Sequence, residues 1–82
     1  MGKSLHCTVV SREGILFSDN VDIITLPGSE GSFALLVDHA PIVSLLKKGD
    51  IKIKHNNSEK IISIKSGIIE NHQNSISILV EI

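Results

Sequence analysis

The sequence predicts an all-β protein, a small antiparallel β-sandwich or flattened barrel of about ten short strands without C-terminal helices. The 82 residues include 14 isoleucines and 6 valines, and β-branched side chains favour strands over helices. Apolar and polar residues alternate most clearly at positions 50–54 and 75–78. This period of two is typical of a strand with one buried face. Turn-forming residues separate the apolar runs at short intervals.

The first four strands follow from apolar runs that end at turn signals. The triplet Arg12-Glu13-Gly14 separates the first two runs, and the sequence PGSEG at 27–31 separates the third from the fourth. The predicted strands are residues 5–10, 15–17, 21–26 and 33–36.

The segment 40–48 is the one place where a helix competes with a strand. Leu45 and Leu46 suit a helix, whereas Pro41, Ile42 and Val43 favour an extended backbone. Nine residues also make a marginal helix. The segment is therefore predicted to be a strand, with Ile42 and Leu45 as candidates for the core first and for a partner surface second.

The second half of the chain alternates more regularly than the first. Turn residues stand at 48–50, 55–58, 66–67 and 73–74. We find no linker, repeat or low-complexity stretch, which predicts a single domain over residues 1–82. The remaining predicted strands are residues 50–54, 60–65, 68–71 and 75–82.

Composition excludes several functional classes. A net charge of −1 and two phenylalanines as the only aromatic residues argue against nucleic-acid binding. No apolar run approaches the ~20 residues that span a bilayer. Cys7 is the only cysteine, so no internal disulfide can form, and the four histidines lack metal-ligand spacing. We expect a protein of the reducing cytoplasm with no metal, cofactor, nucleic acid or small-molecule ligand, and with no direct insertion into a membrane.

Two adjacent pairs invite a chemical interpretation. Asp38-His39 is the only neighbouring acid and imidazole, and an enzyme would need it to meet a nucleophile such as Ser44 or Cys7. His6-Cys7 would be half of a metal site. Neighbours in an extended chain point to opposite faces, so neither pair is expected to act together. We expect Asp38 to cap a loop and His39 to be a partly buried structural residue.

The sequence GSEG at 28–31 superficially resembles a phosphate-binding loop. It lacks the Lys-Ser/Thr end of such a loop, and Glu30 would repel a phosphate. The residues therefore predict a turn between two strands, and the sequence as a whole predicts no catalytic site.

Short motifs in a fixed order carry a family resemblance from residue 5 to residue 80. Each is weak alone, but together they cover nearly the whole chain. The chain resembles the N-terminal domain of the epsilon subunit of F-type ATP synthases. The motifs are LHCTVV (5–10), GILFS (14–18), LPGSEGSF (26–33), HAPI (39–42), LKKG (46–49), GIIE (67–70) and ISIL (76–79).

The resemblance implies a non-catalytic subunit of the central stalk. In that family the domain binds the gamma subunit and the c-ring of the membrane sector, and helps couple ion-driven rotation to ATP synthesis. It also implies a peripheral position on the cytoplasmic face of the inner (plasma) membrane. The residues expected at the partner interfaces are Glu30, Ser32, Asp38, His39 and Ile42, with the 28–32 turn and the His39 loop at one end of the domain.

The sequence departs from the family pattern at several positions. Ser32 stands where the family often has an acid, Val37-Asp38 replaces Pro-Gly, and Ser66 replaces the first residue of a double glycine. Family members commonly continue into a two-helix tail that inhibits ATP hydrolysis and in some bacteria binds ATP. We expect these 82 residues to lack tail-mediated inhibition and an ATP site.

A stand-alone β-sandwich adaptor is the alternative function. Such a protein binds peptides by adding a strand to an exposed sheet edge, and the terminal strand ending at Ile82 is the edge that the sequence offers. An adaptor would bind peptides and ignore the gamma subunit.

Overall fold

The computed structural model describes residues 3–82, so the first two residues of the predicted domain lie outside it. Nine strands and no helix occupy the described range, which confirms the all-β prediction with nine strands in place of about ten. No helix in residues 3–82 is long and apolar enough to cross a membrane. The strands are β1 (Leu5–Ser11), β2 (Gly14–Val21), β3 (Ile23–Gly28), β4 (Gly31–Leu35), β5 (Ile42–Leu46), β6 (Gly49–His55), β7 (Ser58–Ile64), β8 (Ser66–His72) and β9 (Ser75–Glu81).

The competition between strand and helix at 40–48 is resolved as β5. The predicted strand at 15–17 was too short, because β2 continues through the polar residues 18–20 to Val21. These residues have low strand propensity, but each is paired with a residue of β1, and the ladder continues to the Leu5–Val21 pair. Tertiary pairing thus overrides local propensity here.

All nine strands form one continuous sheet that folds into two layers. Strands β2-β1-β9-β8-β5 form one layer, and β4-β3-β6-β7 form the other. The link between them is a single pair, Gly28 of β3 with Leu46 of β5. Backbone hydrogen bonds reinforce it on both sides, from Ser29 N–H to the Leu45 carbonyl and from Lys47 N–H to the Pro27 carbonyl, each 2.9 Å long.

The core lies between these layers and consists almost entirely of aliphatic side chains. In β9, the alternation predicted from the sequence is complete, because every second residue is buried. In β5, Leu46 points inward and Ile42 packs partly against the core, whereas Leu45 is exposed. The expectation that Leu45 belongs to the core was wrong, because the period of two turns it to the outer side.

The last strand is central, not peripheral. β9 pairs in parallel with β1 and antiparallel with β8, so both of its sides are occupied. The expectation that this strand offers a free edge was therefore wrong. Among residues 3–82, the strands with one unpaired side are β2, β7 and β4.

Asn71 is a polar exception in the core. It is only 1% exposed, lies between Ile42 and Ile76 in the sheet register, and neither side-chain polar atom has a hydrogen-bond partner among the described residues. An unsatisfied buried amide costs about 1–3 kcal/mol.

We predict that Asn71→Val raises the free energy of unfolding by about 1–2 kcal/mol, because it removes this cost and adds a strong strand former. Urea denaturation of both proteins measures the change. Ser77→Val on the exposed side of β9 is the control for strand propensity alone. A loss of stability in Asn71→Val would contradict the prediction and would mean that the amide is hydrogen-bonded in solution.

Candidate partner-binding surfaces

The outward side chains of β1, β9, β8 and β5 form a surface that we call the outer face. In each of these strands every second residue points into the core, so the residues between them point outward. The pairing of the strands shows which of these outward residues are neighbours. The face contains polar residues toward its two ends and apolar residues in its middle. None of the four strands contains lysine or arginine.

Four aliphatic side chains form a continuous line across the outer face, here called the apolar row. Leu79 is in register with Val10 on one side and with Ile68 on the other, and Ile68 is in turn paired with Leu45. Leu79, Ile68 and Leu45 are 57%, 41% and 62% exposed. Contiguous exposed apolar side chains are typical of a surface that binds a partner.

A second line of residues runs beside the apolar row. Glu70 is paired with Val43 on β5 and with Ser77 on β9, and Ser77 is opposite Thr8 on β1. Together with Val10, Leu79 and Ile68 of the apolar row they line a shallow groove of about 380 Å³. Glu70 is thus a carboxylate with mostly uncharged neighbours in the middle of the outer face.

The predicted interface residues lie at two opposite ends of the domain. Glu30 and Ser32 are at the start of β4, whereas Asp38 and His39 follow its last residue, Leu35. The five residues of β4 separate the two pairs by roughly 15 Å. The expectation that the 28–32 turn and the His39 loop share one end was therefore wrong. We call these the Glu30 end and the His39 end.

Hydrogen bonds hold the loop at the His39 end in place. The N–H of Asp38 donates to Asn74 Oδ1 at 2.6 Å, and Asn74 Nδ2 donates back to Asp38 Oδ1 at 3.1 Å. Lys3 Nζ lies 3.3 Å from the same carboxylate oxygen. The hydrogen bond from Asn74 and the ammonium group of Lys3 keep the pKa of Asp38 below its ordinary value. Asp38 therefore fastens the loop to the turn between β8 and β9.

Asp38 and His39 do not form a catalytic pair. His39 Nδ1 lies 2.8 Å from the carbonyl oxygen of Ala40, and a carbonyl can only accept, so Nδ1 is the donor. The ring is exposed, which corrects the expectation of a partly buried histidine. Its Nε2 edge is available to a partner. Ile42 is half-buried against the core, and its neighbour Val43 is the residue that points outward.

Cys7 and His6 point to opposite sides of β1, as predicted for neighbours in a strand. Cys7 is fully buried, and burial raises the pKa of its thiol to about 12. A thiol with such a pKa stays protonated and unreactive near neutral pH. Within residues 3–82, no three His, Cys, Asp or Glu side chains are close enough together to bind a metal ion.

The Glu30 end contains the turns that follow β1, β3, β5 and β7 and is rich in charge. Glu30 is exposed at the tip of a two-residue turn closed by the Gly28–Gly31 pair. Gly28 has no room for a side chain, because an added Cβ would lie 2.6 Å from the Gly31 carbonyl oxygen and 2.7 Å from the Phe33 ring. The close approach of Phe33 explains why the turn needs glycine at this position.

The sequence interpretation missed the apolar row. A signal for it was present, because the strand ending ISILVE has apolar residues in both phases of the alternation. Ile78 and Val80 fill the inner phase, so Leu79 must lie outside. Which outer residues line up across neighbouring strands depends on the register, which the local pattern does not show.

A family model for the β-sandwich domain of the ATP synthase delta/epsilon chain matches residues 4–82. The chain belongs to this family. Relatives include ATP synthase epsilon chains of Leptospira interrogans and Caulobacter vibrioides. The identities are 42% and 35%, and each match covers 94% of this chain.

The chain spans 61% of the Leptospira relative and 90% of the Caulobacter relative. Epsilon chains are non-catalytic subunits of the synthase. Two solved structures share the fold at 18% identity, each over 98% of this chain. One is from the Euglena gracilis mitochondrial ATP synthase, with a TM-score of 0.88 and 52% of that chain covered. The other is from the Tetrahymena thermophila central stalk and c-ring, with a TM-score of 0.83 and 65% covered.

Proposed function

We propose that this chain is a non-catalytic rotor subunit in the central stalk of an F-type ATP synthase. In this role it binds the gamma subunit and the c-ring, and it helps couple ion-driven rotation of the ring to ATP synthesis. The observation that carries the proposal is the apolar row, because a small domain that exposes aliphatic side chains across four adjacent strands needs a partner to cover them. The relatives, which are ATP synthase epsilon chains, support the choice of complex.

The gamma subunit is the proposed occupant of the outer face and of the adjoining loop at the His39 end. His39 and Asp38 lead directly into β5, whose outward residues Val43 and Leu45 belong to that face. Ile42, the first residue of β5, is only half-buried against the core beside this loop. One continuous surface thus joins the loop and the apolar row.

The c-ring is the proposed partner of the opposite end. Glu30 and Ser32 are exposed there, and Lys47 and Lys48 lie in the neighbouring turn between β5 and β6. Mixed charges of this kind suit the polar loops of a membrane ring. Two contacts at opposite ends of a stiff β-structure would let the domain transmit torque. The chain would then be a peripheral component on the cytoplasmic face of the membrane.

Co-purification with the gamma subunit of the same organism tests the proposal. We expect a stoichiometric complex that survives moderate salt. Salt screens interactions between charges, whereas the burial of apolar surface does not depend on them. No binding at micromolar concentration, together with binding of extended peptides at the free edges of β2, β4 or β7, would replace the proposal with the adaptor function.

Two exposed residues report on the two ends separately. We predict that Glu30→Lys weakens assembly with the c-ring and that His39→Ala weakens binding of gamma. Each effect should be about five- to tenfold, as is usual for residues near the rim of an interface. Glu59→Lys, an exposed acid on β7, is the control. Melting temperatures of the isolated variants should match the wild type, and a large drop would assign these residues to the fold instead.

A further inference from the structure

The outer face contains one charged group at its centre, and the apolar row does not account for it. Glu70 lies two residues from Ile68 on β8 and therefore on the same side of the sheet. Its partners across the two neighbouring strands are Val43 and Ser77. Among residues 3–82 it has no ion-pair partner, since the ion pairs there join Lys3 to Asp38 and His55 to Asp19.

Any partner that covers the apolar row also covers Glu70. A carboxylate that is removed from water without a cation or hydrogen-bond donor loses far more free energy than the neighbouring aliphatic groups gain. The four strands of the face supply no lysine or arginine, because β1, β9, β8 and β5 contain none. Arg12 follows β1 and lies with Glu81 at one margin of the face, and the histidines of the face, His6 and His72, lie toward the opposite margin. The other acid of the face, Glu81, is at its margin and accepts a hydrogen bond from Ser66 Oγ at 3.3 Å.

We propose that Glu70 forms an ion pair with a lysine or arginine of the gamma subunit, in a segment whose apolar side chains cover the apolar row. The inference rests on the function proposed above and adds to it the chemistry of the partner segment. The apolar row provides affinity, and the carboxylate selects the partner and its register.

A second copy of this chain does not meet the same requirement. Two outer faces packed on each other would enclose two Glu70 carboxylates without a lysine or arginine from either strand set. Like charges in an interface oppose association. Glu70 therefore also keeps an exposed apolar surface from pairing with itself.

The test measures the affinity of purified gamma for the wild type, Glu70→Gln and Glu70→Lys over a range of salt concentrations. Glu59→Gln on β7 is the matched control, as an exposed acid in the other layer. We expect Glu70→Gln to bind about 30-fold more weakly and with a shallower salt dependence, and Glu70→Lys to bind more weakly still. Replacing the matching cation of gamma by glutamate should restore binding to Glu70→Lys.

The outcomes separate this inference from the proposed function. Wild-type binding with an unchanged Glu70→Gln affinity would overturn the ion pair and leave the stalk function standing. Absence of wild-type binding would overturn both. A wild-type dimer at micromolar concentration that Leu79→Asp dissociates would identify a second copy as the occupant, which also contradicts the inference.

Discussion

Replacing Leu79 by aspartate is expected to abolish binding of the gamma subunit while the domain stays folded. Leu79 is one of the two middle residues of the apolar row and is 57% exposed in the isolated chain. Covering its exposed part contributes about 1–2 kcal/mol, and an aspartate there would place an unpaired carboxylate beside Glu70 in the interface. The combined loss exceeds about 3 kcal/mol, which corresponds to at least a hundredfold weaker affinity.

Isothermal titration of gamma into each variant measures this effect. Ile61→Asp is a close control, because Ile61 is 52% exposed but lies on β7 in the other layer. It should bind gamma with wild-type affinity. Equal losses in the two variants would mean that the outer face has no special part in binding. Matching circular dichroism spectra and melting temperatures are needed to exclude unfolding.

Gly28→Ala is expected to produce the largest loss of stability. The added methyl group would lie 2.6 Å from a backbone oxygen of Gly31, so the turn itself must move. Gly28 also forms the single pair with Leu46 that links the two layers. Overpacking of this kind costs about 2–3 kcal/mol, which lowers the melting temperature of a domain of this size by roughly 10–20 °C.

Differential scanning calorimetry of the isolated domain measures this change. Ser29→Ala in the same turn is the control, since Ser29 is exposed. The double variant Gly28→Ala with Phe33→Leu should recover only part of the loss, because the Gly31 carbonyl remains in place. A melting temperature within about 2 °C of the wild type would contradict the steric argument.

The position of the linking pair also connects stability to function. Gly28 holds the turn that presents Glu30, so a variant that shifts this turn should weaken the proposed ring contact more than the gamma contact. Gly28→Ala should therefore reduce binding at the Glu30 end more than binding at the His39 end. Measuring assembly with the c-ring and binding of gamma on the same preparation of the variant tests this difference.

Much of the fold was predictable from the sequence, because strands and their buried faces depend on local patterns. The alternation in β6 and β9 places Ile51, Ile53, Ile76 and Ile78 in the core as predicted. Even the ambiguous segment at β5 was assigned as a strand from Pro41 and its β-branched neighbours. The family also followed from motifs such as LPGSEGSF, which reflect the steric demands of one turn.

The candidate surfaces were less predictable, because they depend on contacts between distant parts of the chain. Glu30 and Ser32 were expected beside His39, but β4 carries the chain from one end of the domain to the other. Leu45 was expected in the core, and its alternation with Leu46 decided otherwise. Neither position is evident until the direction and pairing of each strand are known.

The sequence by itself determined the fold class, most strand positions, most of the core and the family, since propensity, alternation and turn chemistry act over a few residues. The tertiary structure decided that the last strand lies between β1 and β8, and that Val10, Leu79, Ile68 and Leu45 form one row with Glu70 beside it. The physical reason is that hydrogen-bonded register joins residues far apart in the chain. A local pattern specifies which face a side chain takes but not which neighbours share that face.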